Sequence, residues 1–229
     1  MDRFNRAAFL AGSLAAAGVA AATRAGAAAP AETSTVPPEQ LLGRLMAGNR
    51  RFLDNDFPPL NRMAEKREVL LETQHPYAAI LSCSDSRVVP NFVFVQGMGD
   101  LFIARVAGNY PDDLVIGSLE YAVEHLGTRL IVVLGHQNCG AVKAVYSAIA
   151  NNAPLPAHLS TIEQLIAPGI AATVHANGTP DEAIIANVRA AVARLKAAPP
   201  VISKGVQSDG VLVVGALYHL ASGEVTLVH

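Results

Sequence analysis

Cys83-Ser84-Asp85-Ser86-Arg87 and His136-Gln137-Asn138-Cys139 hold the residues of this chain best suited to bind a metal, and both of its two cysteines lie in them. Thiolate, imidazole and carboxylate are the ligands Zn²⁺ takes from proteins, four in a closed site and three where a position stays open for water. Alternation along an extended segment turns Cys83, Asp85 and Arg87 to one side. Asp85 then has two options. As a fourth ligand it closes the site; held in a bidentate pair by Arg87, whose planar fork lysine cannot reproduce, it leaves the position to water. The open arrangement is the catalytic one, since zinc lowers the pKa of water from about 15.7 to about 7.

The elements around these motifs must deliver them to one place. Residues 78–82 and 101–106 are short apolar runs, and residues 130–134, Leu-Ile-Val-Val-Leu, are the clearest strand. Helical spacing recurs at Ile116, Leu119, Val123 and Leu126, closed by Gly127, then over residues 139–150, and again from Ile184 to Leu195 before Pro199-Pro200. Residues 211–214 and 225–228, turning at Ser222-Gly223, read as a terminal hairpin. Buried strands alternating with helices predict an α/β fold with a mostly parallel central sheet flanked by helices, the hairpin adding an antiparallel edge strand. Ligands in such sheets bind beyond the carboxyl ends of strands. Cys83 and His136 each end a strand, so both reach one rim. Cys139 opens a helix whose dipole favours thiolate, and Gly135 and Gly140 are expected to let the backbone turn around the metal. Two helices over residues 39–53 and 61–72 are expected on the outside of the domain or on a neighbouring subunit. Residues 151–179 read as a polar insert with helical pieces.

Half of the 229 residues are hydrophobic, 16% are charged and the net charge is −2, with no Trp. That composition provides a core and gives no electrostatic basis for binding nucleic acid or an anionic membrane. Residues 1–29 differ from the rest. Arg3 and Arg6 precede an uncharged Ala-rich stretch over residues 7–23, and Ala25-Gly26-Ala27 and Ala27-Ala28-Ala29 offer small-residue cleavage sites. This reads as a cleaved export signal, followed by a linker at 30–38 and one domain at 39–229. The expected location is the periplasm, with no stable membrane insertion after cleavage; a cytoplasmic protein with an uncleaved tail is the alternative. Arg6-Ala7-Ala8-Phe9-Leu10 resembles a twin-arginine motif lacking its second arginine.

Cys-x-Asp-x-Arg followed by His-x-x-Cys resembles the β-class carbonic anhydrases, and the likeness runs over most of residues 40–229. Ala47-Gly48-Asn49-Arg50-Arg51-Phe52, Arg105-Val106-Ala107-Gly108-Asn109, Ser118-Leu119-Glu120-Tyr121-Ala122 and residues 135–142 resemble further family blocks. The resemblance implies reversible hydration of CO₂ to bicarbonate, one Zn²⁺ per subunit, and an active site at the interface of a homodimer or higher even oligomer. Position by position it makes Cys83, His136 and Cys139 metal ligands, and Asp85, itself a possible ligand, a gating dyad with Arg87. It makes Gln74 a hydrogen-bond donor to substrate, and Phe102 and Tyr121 walls of the CO₂ pocket. Asn91 and His219 depart from the family pattern, and the lack of Trp speaks against the bicarbonate-inhibited subtype. Other readings stay open: hydrolysis of COS or CS₂ on the same fold, a non-catalytic zinc- or bicarbonate-binding protein, a structural zinc closed by Asp85, and a Cys83–Cys139 disulfide.

Overall fold

The computed structural model describes residues 35–58 and 62–229. The expected export signal and most of the expected linker lie outside them. Among the described residues, strands β1 (Ala78–Ser82), β2 (Leu101–Arg105), β3 (Leu130–His136), β4 (Leu212–Tyr218) and β5 (Val225–Val228) form one sheet in the order β2-β1-β3-β4-β5. Every pairing is parallel except β4 with β5. The mostly parallel sheet with an antiparallel edge is therefore present as the sequence predicts. None of the described helices is long and apolar enough to cross a membrane.

Every residue of β1 and β3 is buried because both faces of the sheet are covered. On one face Ile80, Leu130, Val132 and Leu134 pack with Leu41 and Leu45 of α1 (Pro38–Leu53) and Val93 of α3 (Pro90–Val93). On the other, Ala79, Leu81, Ile131 and Val133 meet α4 (Asp113–Leu126), α7 (Pro180–Ala197) and α8 (Val201–Gln207). Each fully buried Leu or Ile contributes about 1.5–3 kcal/mol, so the central strands are fixed in register. Capping sets where the helices begin. Asp112 accepts from Val115 N at 2.8 Å to start α4, and Thr179 with Glu182 forms a capping box ahead of Pro180 in α7.

The first two helices take the outside position expected of them, while the insert and the fourth strand depart from expectation. α1 packs on its own chain, and its buried Asn49 donates to Val93 O and Gly223 O while accepting from Val225 N, which ties the helix to β5. α2 (Arg62–Val69) is instead held at its edge, where Lys66 Nζ meets Asp100 Oδ1 at 2.9 Å. The polar insert contains a full helix, α6 (Leu159–His175), which packs on α7 and on α5 (Gly140–Asn151). Ile162, Ile166, Ile170 and Val174 give it one apolar stripe despite the internal Pro168. β4 also runs past residue 214, because the missing side chain of Gly215 leaves room for Val188 of α7. The extension pairs Tyr218 with His136 and carries the sheet to the rim.

Candidate metal centre

β1 ends at Ser82 and β3 at His136, in parallel neighbouring strands, so Cys83 and His136 leave the sheet side by side. Asn138, with φ of 56°, turns the chain back to Cys139, the N-cap of α5. The sulfur and imidazole atoms of Cys83, His136 and Cys139 lie within 4.8 Å of one another, and all three residues are buried. Among the described residues this is the group of that kind able to hold a metal ion. Gly135 lies inside β3, where a Cβ would collide with Val188, while Gly140 faces open space. The tight turn therefore falls at Asn138 and not at the two glycines expected to make it.

The donor set fits zinc. His136 Nδ1 lies 3.0 Å from Gln137 O and must donate to it, which leaves the lone pair on Nε2. That Nε2 is buried without a hydrogen-bond partner, a position a metal would satisfy. Both cysteines are free, with sulfurs 4.0 Å apart, so the disulfide reading does not hold in this structure. The hydrogen bond from Cys139 brings the Cys83 thiol down to about 4, helped by the backbone N–H groups of Gly108 and Asp85 against the cost of burial. Giving that hydrogen bond, together with burial, pushes Cys139 up, and the N–H groups of Val142 and Ala141 at the helix start only partly offset it. The start of the helix thus favours the Cys139 thiolate, against the larger opposing effect of its coupling to Cys83. Two thiolates this close need a cation between them.

Asp85 stands beside this group and outside it. Arg87 Nε donates to Oδ1 at 2.9 Å and Nη2 to Oδ2 at 2.8 Å, while Arg87 N also donates to Oδ1 at 3.0 Å. The side-chain hydrogen bonds from Arg87 hold the Asp85 carboxyl well below the usual carboxylate range. Asp85 Oδ2 remains 3.9 Å from His136 Nε2. The guanidinium reaches it through a turn, closed by Val88 N donating to Asp85 O, and not through simple strand alternation. Arg105 is a further part of the site. Its Nε donates to Cys83 O at 3.0 Å and its Nη2 to Asp85 O at 2.7 Å, so β2 clamps the loop that carries the dyad. The pairing of Arg105 with Ser82 follows from laying β2 parallel to β1, a signal present in the two strand patterns.

Gln74, Phe102 and Tyr121 are not brought to this centre. Gln74 precedes β1, and Phe102 pairs with Ala79 near the amino end of β1, three residues or about 10 Å of strand from the rim. The Tyr121 ring lies 6.4 Å from that of Phe102. Gln74 and Tyr121 line a cavity of about 630 Å³ with Leu71, His75, Met98 and His125. Within one chain the expected pocket residues form a separate wall at the opposite end of the sheet.

The carbonic anhydrase family model matches residues 78–225, which span both ligand motifs. The chain belongs to the carbonic anhydrase family. It is 38% identical to the carbonic anhydrase of Mycolicibacterium smegmatis over 184 residues, covering 80% of this chain and 89% of that protein. Its fold is that of the β class. The β-carbonic anhydrase of Coccomyxa, solved with acetazolamide, superposes with a TM-score of 0.66 at 26% identity, over 81% of this chain and 85% of that one. A tetrameric β-carbonic anhydrase of the ascomycete Sordaria macrospora matches with a TM-score of 0.66 at 21% identity, over 82% of this chain and 96% of that one, a likeness of fold. In the family's terms, Asn91 here holds its own loop, donating to Gln96 O at 3.3 Å, and His219 pairs with Thr226 Oγ1 at 2.9 Å.

Proposed function

We propose that this protein catalyses the reversible hydration of CO₂ to bicarbonate and a proton, with one Zn²⁺ per subunit held by Cys83, His136 and Cys139. The observation that carries the reading is the buried cluster itself: two sulfurs 4.0 Å apart and an imidazole nitrogen with no other partner. Bound there, zinc would supply a Lewis acid that makes water a nucleophile near neutral pH. The residues do the rest. Cys83 and Cys139 offset the ion's charge, and Gln137 O fixes the His136 tautomer. Arg87 keeps the Asp85 carboxylate ionised and turned from the cluster, so that it accepts a proton-bearing partner at the open position and does not close it. This makes Asp85 and Arg87 the gate.

The same reading makes the active species a homodimer or a multiple of it. Gln74 before β1, Phe102 on β2 and Tyr121 on α4 stand at the end of the sheet opposite their own metal centre, and the wall they form is edged by exposed Leu71 and Met98. A second copy presenting this wall to the rim completes a pocket with an apolar lining for CO₂ and an amide for its oxygen. Export to the periplasm is part of the proposal and rests on the composition of residues 1–29. Stopped-flow CO₂ hydration by the zinc-loaded mature protein tests the activity. Proton release far above the uncatalysed rate, blocked by a sulfonamide, is expected. Zinc binding without any acceleration would leave only a binding role.

A further inference from the structure

Asn187 lies in the middle of α7, fully buried at 0% exposure among apolar residues. Burying an amide is costly unless it is hydrogen-bonded, and an aliphatic residue would fill the same space without that cost. Its Nδ2 donates to Gly108 O at 2.8 Å. Its Oδ1 has no hydrogen-bond partner among the described residues, so the single bond to Gly108 is what the amide does. Gly108 in turn donates its N–H to Cys83 Sγ at 3.4 Å. The glycine has φ of 78°, a conformation other residues adopt only with strain, and a Cβ there would collide with Ile166 of α6. Gly108 is thus pinned between α7, which holds its carbonyl, and α6, which covers its Cα, with its N–H aimed at a sulfur.

We infer that Asn187 is a positioning residue of the metal centre: it holds Gly108 so that the Gly108 N–H donates to the Cys83 sulfur, setting how much charge that sulfur gives a bound metal. An N–H···S bond draws electron density from a thiolate and fixes its direction, and outer partners of this kind typically tune metal affinity or activity by about 10–100-fold. The same arrangement gives α6 a purpose. The helix closes over the glycine through Ile166, with Ile170 and Val174 continuing the seal around Cys83 and Cys139. The inference rests on the reading of Cys83, His136 and Cys139 as metal ligands.

The test uses the full chain loaded with ¹¹³Cd or Co²⁺. In the wild-type ¹¹³Cd protein the Gly108 amide proton should show scalar coupling to the metal through the sulfur. Asn187→Leu keeps the volume and removes the donor; it should weaken that coupling, shift the thiolate-to-Co²⁺ charge-transfer band to longer wavelength and speed release to a chelator about 10-fold. Asn187→His, which retains an N–H, should recover part of each change. Ile184→Ala, a buried cavity nearby on α7, should lower stability while leaving coupling and band in place. Should Asn187→Leu fail to fold, Asn187→Ser, too short to reach the carbonyl, serves in its place. Absence of the wild-type coupling, a folded Asn187 variant with coupling and band unmoved, or an equal shift in Ile184→Ala would each overturn the inference. A chain that takes up no metal would instead overturn the metal reading itself.

Discussion

At the carboxyl ends of β1 and β3, Cys83, His136 and Cys139 are buried and converge on one point. At the amino ends of β1 and β2, Gln74 and Tyr121 face an open cavity lined also by Leu71, which is 78% exposed. The first region is finished by its own chain. Arg105 clamps the loop, Arg87 fills both Asp85 oxygens, and α6 seals the outside. The second has aromatic rings, an amide and large apolar side chains open to water, and burying such an apolar side chain fully would contribute about 1.5–3 kcal/mol. Under the proposed function, one chain carries the two halves of a site at opposite ends of its sheet, and the exposed half is the one a second copy would use.

Breaking the finished region has the largest expected effect. Cys139→Ala should lose zinc, by metal analysis, and reduce CO₂ hydration to background while the oligomer persists. Full zinc content and full rate would refute the ligand assignment. Breaking the exposed region should do the reverse: Leu71→Asp places a charge in the proposed interface and should give a monomer, by light scattering, that keeps its zinc and loses most of its activity. A fully active monomer would remove the split site.

Smaller effects sharpen the account of the first region. Arg87→Ala frees Asp85 from a doubly hydrogen-bonded pair and should cost about 10²-fold in rate through misplacement alone, with metal content unchanged. Asp85 has a depressed pKa, so whatever stability the pair contributes is present above the ordinary carboxylate value of about 3.9 and lost only as pH falls through the lower folded value. Protonation of Asp85 should therefore not be what breaks the pair between pH 8 and pH 6. The smallest effect is a proton count. In the metal-free pair the Cys139–Cys83 hydrogen bond lowers the Cys83 thiol and raises the Cys139 thiol, so that the two share one proton. Zinc binding at pH 7 should release about one proton from the pair, measured by calorimetry in buffers of different ionisation heat; two would contradict the shared-proton picture.

Much of this was legible in the residues. β1 and β3 are unbroken apolar runs whose ends place Cys83 and His136 at one rim, and the dyad is written in Asp85-Ser86-Arg87. Other parts were hidden for physical reasons. α6 was obscured because Pro154, Pro156, Pro168 and Gly169 read as breakers, although residues 162, 166, 170 and 174 carry its apolar stripe. α8 follows Pro199-Pro200 directly, where a stop was expected. Asn187 looks like any polar helix residue, since nothing in a linear pattern reveals that its neighbours bury it. Gly135 was misread because a glycine that makes room for Val188 is indistinguishable, in sequence, from one that makes a turn. The distance of Gln74, Phe102 and Tyr121 from the metal centre required strand register, which places Phe102 opposite Ala79 and not opposite Ser82.

The split site is tested most directly by subunit complementation. One chain carries Cys139→Ala and an intact wall; the other carries Gln74→Ala with Tyr121→Ala and intact ligands. Each homo-oligomer should be nearly inactive. Co-refolded in equal amounts, half of the random dimers contain both chains, and each of those pairs one intact metal centre with one intact wall. CO₂ hydration should then return to about a quarter of the wild-type rate per chain. A mixture no more active than the mean of its two components, with mixed dimers present by mass spectrometry, would show that each chain builds its site alone.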